Sequence, residues 1–227
     1  MTATTHPALI AWPAIAAYGR NVPKARIYEH GAANARLKEL FVKQVDAIVW
    51  QYKLAPETIN LPARPDVPEI EIFSLQLKLP ELHHDILRCI DRAIPLPLLF
   101  ELHHAKRVQV IAAYKRPSEA GAGRWVASDY FASDWLAEDS LRSPMPVALH
   151  LGGLYEQLIQ NLIPLVPRQH ETLAERITRI ESIQSKRREL AAAVSKIEKE
   201  RQFNRKVEIN SNLRKLMSEL ASLGDSQ

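Results

Sequence analysis

The chain has 227 residues, which is enough for one domain of roughly 150 residues plus an appendage, or for two small domains. Its composition, 46% hydrophobic and 25% charged, is that of an ordinary globular protein. No apolar run reaches the roughly 18 to 20 residues of a membrane span, and the first charged residue is only Arg20, which argues against a signal peptide with a basic start. The single cysteine, Cys89, excludes an internal disulfide and favours the cytoplasm. The net charge of +4 arises after Pro167, because residues 1–167 hold 17 basic and 17 acidic side chains.

The first elements in chain order are predicted to be a helix, a short strand and a second helix. Apolar residues at helical spacing predict a helix over Thr4–Tyr18, and a short edge strand is expected over Ala25–His30. An amphipathic helix capped by Asn34 is predicted over Ala33–Val45, because its apolar residues fall at i, i+3, i+4 and i+8 with charged residues between them.

Two strands and a helix are predicted next. Asp46–Leu54 alternates apolar and polar residues with period two and predicts a strand, whereas the three prolines of residues 55–67 indicate a surface loop. Glu69–Lys78 alternates again, and we interpret its change of phase near Ser74 as a bulge. The apolar spacing then predicts a helix over Pro80–Ala93.

The clearest local signal is a β-hairpin. Two alternating segments predict adjacent strands that flank the short loop His103–Lys106, and so short a loop requires them to be antiparallel. The apolar positions of these strands are Leu98, Phe100 and Leu102 in the first and Val108, Val110, Ala112 and Tyr114 in the second.

The remaining elements complete the predicted fold. A strand from Arg124 to about Tyr130 follows the glycine-containing loop Pro117–Gly123, and a helix is expected over Val147–Leu165. We therefore predict an α+β fold over residues 1–167, consisting of a mostly antiparallel sheet of about five strands with flanking helices. A long helical, coiled-coil-like arm is predicted over residues 168–227.

The arm contains two apolar seams. No proline interrupts Gln169–Leu223, and the first seam has heptad spacing, although Arg187 and Arg201 intrude on it. The phase is lost around Arg201–Lys206 before a second seam begins, so one straight helix and an antiparallel hairpin bent near Phe203 remain alternatives. An apolar stripe needs a covering surface, either the rest of the chain, a second copy in a homodimer or another protein. The residues expected to mediate partner binding or self-association are Leu173, Ile180, Ile183, Leu190, Val194 and Ile197.

The basic residues of the arm suggest a weak nucleic-acid-binding site. Residues 168–223 hold 13 basic and 8 acidic side chains, so phosphate contacts, an acidic protein partner and a solvated helix surface remain alternatives. The candidate DNA contacts are Arg187, Arg188, Arg201, Arg205 and Lys206.

The histidines and the cysteine give no catalytic or metal pattern. Helical metal sites use histidines four residues apart, whereas the pairs His83-His84 and His103-His104 are adjacent and are interpreted as solvent-facing. Cys89 occupies an apolar helix position and is expected to be a buried, inert thiol. The glycines of the chain lack phosphate-loop or dinucleotide spacing, so no cofactor site is predicted.

A divergent metal-dependent nuclease is the strongest enzymatic alternative. Such a site needs strand carboxylates that hold a divalent ion beside an assisting lysine. Asp46 with Lys53, or Asp66 with Glu69, Glu71 and Lys78, approach that pattern, but Gln51 stands where a carboxylate ligand is required. We therefore assign no catalytic and no metal residues.

Five segments of the chain carry a family resemblance. They are WQYKLAPETINLP (Trp50–Pro62), PEIEIF (Pro68–Phe73), IDRAIPLPLLFEL (Ile90–Leu102), AAYKR (Ala112–Arg116) and QFNRKVEIN (Gln202–Asn210). As a set they resemble a bacterial family of unknown function that is encoded beside helicases and DNA methyltransferases in restriction-like, phage-defence gene clusters. The resemblance covers nearly the whole chain, implies an accessory role in a defence assembly and supplies no catalytic residues.

The expected function is therefore that of a non-enzymatic accessory subunit of a bacterial DNA-targeting anti-phage system, docked onto a helicase or methyltransferase partner. Homodimerisation through the arm is also expected. The alternative is a DNA-binding module, in its extreme form the divergent metal-dependent nuclease.

Overall fold

A computed structural model describes residues 6–118 and 125–224 and divides the chain into two compact units. The N-terminal unit is Met1–Ile163 and the C-terminal unit is Pro164–Gln227. None of the helices in these described ranges has the length and hydrophobicity needed to span a bilayer.

The N-terminal unit is built on a seven-stranded sheet. Its strands are β2 (Ala17–Asn21), β3 (Val45–Leu54), β4 (Ile70–Leu77), β5 (Leu98–His104), β6 (Arg107–Pro117), β7 (Trp125–Ala132) and β8 (Leu136–Ala137). The first six lie in the order β2-β3-β4-β5-β6-β7, and β8 also pairs with β6. Only β4 and β5 pair in parallel among these described strands, so the sheet is mostly antiparallel, as predicted, but it has seven strands rather than five.

The predicted hairpin is confirmed as β5 and β6. His104 pairs with Arg107, and the two residues between them, Ala105 and Lys106, have positive φ values of 47° and 61°. Two consecutive left-handed residues match the right-handed twist of the flanking strands. The turn is therefore two residues shorter than the predicted loop.

One face of the sheet packs against three helices, α1 (Lys24–His30), α2 (Ala35–Gln44) and α4 (His84–Ala93). Ile27, Phe41 and Ile86 from these helices join Phe73 and Phe100 of the sheet in one buried cluster. The N-cap of α2 is Asn34, whose Oδ1 accepts a hydrogen bond from the amide of Leu37 at 2.9 Å, as predicted. The predicted helix over Pro80–Ala93 corresponds to α4, which begins later because His83 is its N-cap.

The opposite face is also covered, which explains the change of phase seen near Ser74. Every residue of β4 except Gln76 is buried, so this strand reads as a nearly continuous apolar run and needs no bulge. The register breaks instead lie along its neighbour β3.

A small two-stranded sheet supplies part of that second covering layer. Strand β1 (His6–Ala11) pairs in parallel with β9 (Arg142–Pro144). The carboxylate of Glu101 in β5 accepts a hydrogen bond from Trp12 Nε1 at 2.9 Å and two from Arg142, at 2.9 and 2.8 Å. This charge-assisted contact ties the small sheet to the large one.

Helix α5 (Leu151–Gln160) stabilises an irregular point of β6. The β6–β7 register shifts between Ala113 and Lys115, which frees backbone groups from the ladder. The Tyr155 hydroxyl donates to Ala113 O at 3.0 Å and accepts from the Lys115 amide at 2.8 Å. The helix predicted over Val147–Leu165 is thus present but shorter.

Several predictions for the N-terminal segments are wrong. Residues within the predicted helix Thr4–Tyr18 form β1, a 3-10 turn and β2. Ala25–His30 lies in α1 rather than in a strand, and the predicted loop 55–67 contains a short helix, α3 (Pro56–Ile59). The strand from Arg124 is confirmed as β7 from Trp125 onward, whereas Arg124 and most of the loop Pro117–Gly123 lie outside the described residues.

The C-terminal unit is a helical hairpin of α6 (Leu173–Lys199) and α7 (Phe203–Gly224). The two helices pack along each other and are antiparallel, because Arg179 near the start of α6 donates to Leu223 O near the end of α7 at 3.1 Å. Farther along, Lys186 and Glu219 form an ion pair at 2.7 Å. Of the two predicted alternatives, the hairpin bent near Phe203 is the one that the structure contains.

Candidate functional site

The turn of the hairpin is set by a short polar segment. The backbone leaves the helix at Glu200, and Glu200 Oε1 accepts hydrogen bonds from the amides of Arg201 and Gln202 at 2.8 and 2.9 Å. These bonds satisfy donors that α7 cannot pair internally. We call residues 194–208 the hairpin tip, because they comprise this turn and the helix ends beside it.

A buried ion pair holds the opposite end of the hairpin. Arg179 donates to both carboxylate oxygens of Glu171, at 2.6 and 2.7 Å, and also to Val166 O at 2.9 Å. The hydrogen bonds from Arg179 lower the pKa of Glu171 from 4.5 to about 2. Thr172 caps α6 at this end. The end of the hairpin opposite its turn, which we call the base of the hairpin, is therefore fixed by side chains that were not predicted from the sequence.

The residues predicted to form the interaction seam have unequal burial. Leu173 and Ile183 are buried, Ile180, Leu190 and Ile197 are half-buried, and Val194 is 43% exposed. Helix α7 packs on α6 and contributes the buried Leu216, so α6 already has a partner helix within its own chain. The accessible member of the predicted seam is therefore Val194, in the hairpin tip.

The five candidate DNA contacts are all exposed but form two groups. Arg201, Arg205 and Lys206 lie in the hairpin tip. Arg187 and Arg188 lie along α6, roughly 15 to 20 Å from the turn at 1.5 Å per helical residue. Two further exposed lysines of the tip, Lys196 and Lys199, were missed because they precede the loss of heptad phase that drew attention to the segment.

The hairpin tip also exposes apolar side chains. Phe203 is 77% exposed and Val207 is 53% exposed, and neither was predicted as a contact residue. The available signal was the break between the two seams, where apolar residues belong to neither stripe. Residues 194–208 hold five basic and three acidic side chains, and Arg205 pairs with Glu200 at 3.9 Å, so Phe203 and Val207 lie in a surface with a modest positive excess.

The residues considered for a nuclease are only partly brought together, with Glu69 beside both Glu71 and Lys53. Asp46 and Lys53 lie at opposite ends of β3, roughly 23 Å apart at 3.3 Å per residue. Lys53 pairs with Glu69 at 2.9 Å, and Lys78 Nζ donates to Val42 O at 2.9 Å. In the described ranges, no three His, Cys, Asp or Glu side chains gather as metal ligands.

The histidines and the cysteine have local structural contacts. His83 and His84 are exposed, as expected, but His103 and His104 are half-buried. His103 lies 3.2 Å from the Glu138 carboxylate because β8 packs beside the hairpin. Cys89 is buried as predicted, and burial raises the pKa of its thiol.

A buried lysine joins α4 to the sheet. Lys115 Nζ pairs with Asp91 Oδ1 at 2.9 Å and donates to the carbonyl oxygens of Ile94 and Leu96, both at 2.8 Å. The Tyr130 hydroxyl donates to the second oxygen of Asp91. These bonds satisfy carbonyl groups beyond the end of α4, so we assign this cluster to structure rather than catalysis.

Comparison with known proteins gives one match. Residues 10–220 match the model of a protein family described as Domain of unknown function (DUF4391). The match begins in β1 and ends in α7, so it spans both units. No curated protein and no solved structure matches the chain.

Proposed function

The chain belongs to the family described as Domain of unknown function (DUF4391), and from this premise we propose that it is a non-enzymatic accessory subunit of a bacterial DNA-targeting anti-phage system. In this proposal the subunit docks onto a helicase or DNA methyltransferase of the same gene cluster. The partner class comes from the resemblance carried by segments such as QFNRKVEIN, which overlaps the hairpin tip. The docking role comes from the geometry of that tip.

The observation that supports docking is the exposure of Phe203 and Val207 beside Arg201, Arg205 and Lys206. Aromatic and arginine side chains dominate the energetics of many protein interfaces, because they bury large areas and form directional bonds. A single exposed valine is ordinary on a protein surface, but a phenylalanine that is 77% exposed beside a second apolar residue is less so.

Co-purification tests this proposal directly. The full chain is co-expressed with each helicase or methyltransferase encoded beside it, and the complexes are resolved by chromatography with mass detection. We expect the Phe203→Ala, Val207→Ala double variant to lose the partner, because it removes the apolar part of the tip. Met217→Ala is the matched control, since Met217 is a 60% exposed apolar residue elsewhere on α7. Retention of the partner by the double variant would contradict docking through the tip.

The same chromatography tests the proposed homodimer. Self-association through the predicted seam would use Val194, its exposed member, since the other seam residues are at least half-buried. Expressed alone, the wild-type chain would then elute with the mass of a dimer and Val194→Asp with that of a monomer. A monomeric wild-type chain would refute the homodimer without affecting the docking proposal.

Direct DNA binding is the second candidate, and the grouping of three basic residues in the hairpin tip favours it. DNA affinity that depends on phosphate contacts falls steeply with salt, by a slope of roughly 0.9 for each contact. We expect reversal of Arg201, Arg205 and Lys206 to glutamate to weaken duplex DNA binding and flatten its salt dependence. Reversal of Arg36, Lys38 and Lys43, all exposed on α2, is the matched control. Equal losses in both triple variants would indicate a nonspecific effect of net charge.

A further inference from the structure

The N-terminal unit contains a cavity of about 490 Å³ whose exposed rim and buried floor have different chemistry. It lies among β2, β3, β4, α1 and the chain beyond α4. Arg20, Arg26 and His30 line its exposed rim, whereas Glu71 and Phe73 are buried lining residues. Its volume falls within the range of roughly 300 to 1,000 Å³ that is typical of small-molecule sites.

The floor carries an acid with an incomplete set of hydrogen bonds. Glu71 is 0% exposed, and its Oε2 accepts a hydrogen bond from Trp50 Nε1 at 2.5 Å. Its Oε1 accepts no hydrogen bond from any donor in residues 6–118 and 125–224. The neighbouring group is another carboxylate, Glu69, and two carboxylates can share a contact only through a proton.

Burial followed by the charge of Glu69 raises the pKa of Glu71 from 4.5 to about 8. A buried acceptor oxygen without a hydrogen bond lowers the stability of the fold unless the carboxyl group is protonated or a donor group binds to it. A ligand that brings an N–H group to Glu71 would remove that cost.

The walls of the cavity are aromatic. The ring centroids of Tyr18 and Trp50 lie 4.2 Å apart with the planes tilted by 47°, and the rings of Trp50 and Phe73 are nearly parallel with centroids 6.0 Å apart. Tyr18 is 36% exposed, so the aromatic series runs from the rim to the floor. Such surfaces favour a planar ring, because stacked π systems gain dispersion and electrostatic energy.

The rim is cationic. Arg20 lies over the Tyr18 ring at 4.5 Å, and Arg26 and His30 are exposed on α1. No acidic side chain of the described ranges pairs with Arg20 or Arg26, so both guanidinium groups are open to an anion. Arginine binds phosphate well, because its planar group presents several N–H donors in a fixed geometry.

We propose that this cavity binds a nucleotide, with the base against the aromatic wall formed by Tyr18 and Trp50 and its N–H edge towards Glu71, and with the phosphate on Arg20 and Arg26. The aromatic wall would contact a planar ring, Glu71 a hydrogen-bonding edge, and the two arginines an anionic group. A nucleotide combines these three parts. The same chemistry belongs to a free mononucleotide and to one nucleotide of a single DNA strand. This inference is independent of the hairpin tip.

Calorimetric titration of the full chain tests the class of ligand. The probes are the four ribonucleoside 5′-monophosphates, their nucleosides and inorganic phosphate. We expect at least one monophosphate to bind at least tenfold more tightly than either its nucleoside or phosphate alone, because only it engages the floor and the rim together. Absence of binding by all four monophosphates, or equal affinity for inorganic phosphate, would overturn the proposal.

Single-residue variants test which residues bind the phosphate and which bind the base. Arg26→Ala should weaken the monophosphate about tenfold and leave the nucleoside unchanged, whereas Arg36→Ala, an exposed arginine on α2, should change neither. Measured at pH 9, above the raised pKa of Glu71, Glu71→Gln should weaken both ligands about tenfold, because it replaces an ionised acceptor oxygen with an amide group. Circular dichroism checks the folding of Glu71→Gln, and the exposed Arg26 gives a test that does not depend on it. Unchanged binding in both variants would refute the assigned site.

A single-stranded eight-nucleotide DNA distinguishes the sources. Binding tighter than the mononucleotide and weakened by both Arg26→Ala and Glu71→Gln would support a nucleotide presented by a strand. DNA binding no tighter than that of the mononucleotide would support a free nucleotide. Tight DNA binding that neither variant alters would refute the strand as the source.

Discussion

Buried charges are the residues at which the sequence pattern and the structure differ most. Glu71 and Glu101 occupy strand positions where an alternating pattern normally indicates solvent, yet both are buried. Each faces a layer that is remote in sequence, and Glu101 pairs with Arg142 of β9. The alternation of side chains along a strand shows which residues share a face of the sheet, but it does not show whether a second layer covers that face. The cavity beside Glu71 was therefore not predictable from the pattern.

We expect Lys115→Met to lower the free energy of unfolding by about 3 to 5 kcal/mol. It would leave Asp91 buried without its cation and the carbonyl groups of Ile94 and Leu96 without a donor. Urea denaturation measures the loss, and Lys43→Met, an exposed change, should stay within about 0.5 kcal/mol of wild type. Adding Asp91→Asn should recover part of the loss, so a double variant less stable than Lys115→Met would argue against this account.

Acidification should weaken the base of the hairpin through Glu171. Its pKa is lowered from 4.5 to about 2 on folding, so its stabilising effect is present above pH 4.5 and is lost as pH falls towards 2. Glu171→Gln should therefore be less stable than wild type at pH 7, and the difference should shrink between pH 4.5 and 2. Thermal melting followed by helical circular dichroism at several pH values measures it. A difference that does not change with pH would contradict the assignment to the Glu171 charge.

At the level of elements, local signals were sufficient for some segments and insufficient for others. The hairpin of β5 and β6, the strand β3 and the capped helix α2 depend on neighbouring residues, and all three were predicted. Strand β1 was mistaken for a helix because its pairing partner, β9, lies more than 130 residues away in sequence. No local periodicity encodes that pairing, and seven helical residues in α1 are too few to give a clear period.

The packing of α1 on α4 gives an element-scale prediction. A Cβ added at Gly31 would lie 2.4 Å from Cys89 O and 2.5 Å from its Sγ, so Gly31→Ala must push the helices apart. We expect a loss of roughly 1 to 3 kcal/mol in unfolding free energy, measured in urea. Gly153→Ala in α5 is the control, because its Cβ would meet neighbours no closer than 3.5 Å. Gly153→Ala should be neutral or stabilising, and equal effects at both sites would refute the packing argument.

The whole chain combines a charge-balanced N-terminal unit with a basic C-terminal one. Residues 1–163 hold 17 basic and 17 acidic side chains, whereas residues 164–227 hold 13 and 9. Composition alone located this asymmetry, and the break in heptad phase located the turn. The antiparallel packing of α6 and α7 was left open by the sequence, because both a long coiled coil and a hairpin satisfy the same apolar spacing.

We expect a fragment of residues 1–163 to fold cooperatively by itself. The seven-stranded sheet, the helices α1, α2 and α4 on one face, and β1, β9 and α5 all lie within it. A single sigmoidal thermal transition and a far-ultraviolet spectrum with strand and helix content are the expected results. A fragment without a cooperative transition would show that the N-terminal unit depends on the C-terminal one.

The parallel contact between β4 and β5 has a kinetic consequence. It joins two antiparallel ribbons, β3 with β4 and β5 with β6 and β7, and the chain passes through α4 between them. The strands of each ribbon pair as antiparallel neighbours, whereas the joint requires a crossover through α4, and parallel pairing is intrinsically slow to form. We therefore expect the barrier to refolding of this unit to lie at the closing of that joint, and substitutions there to slow refolding more than substitutions at the outer strands.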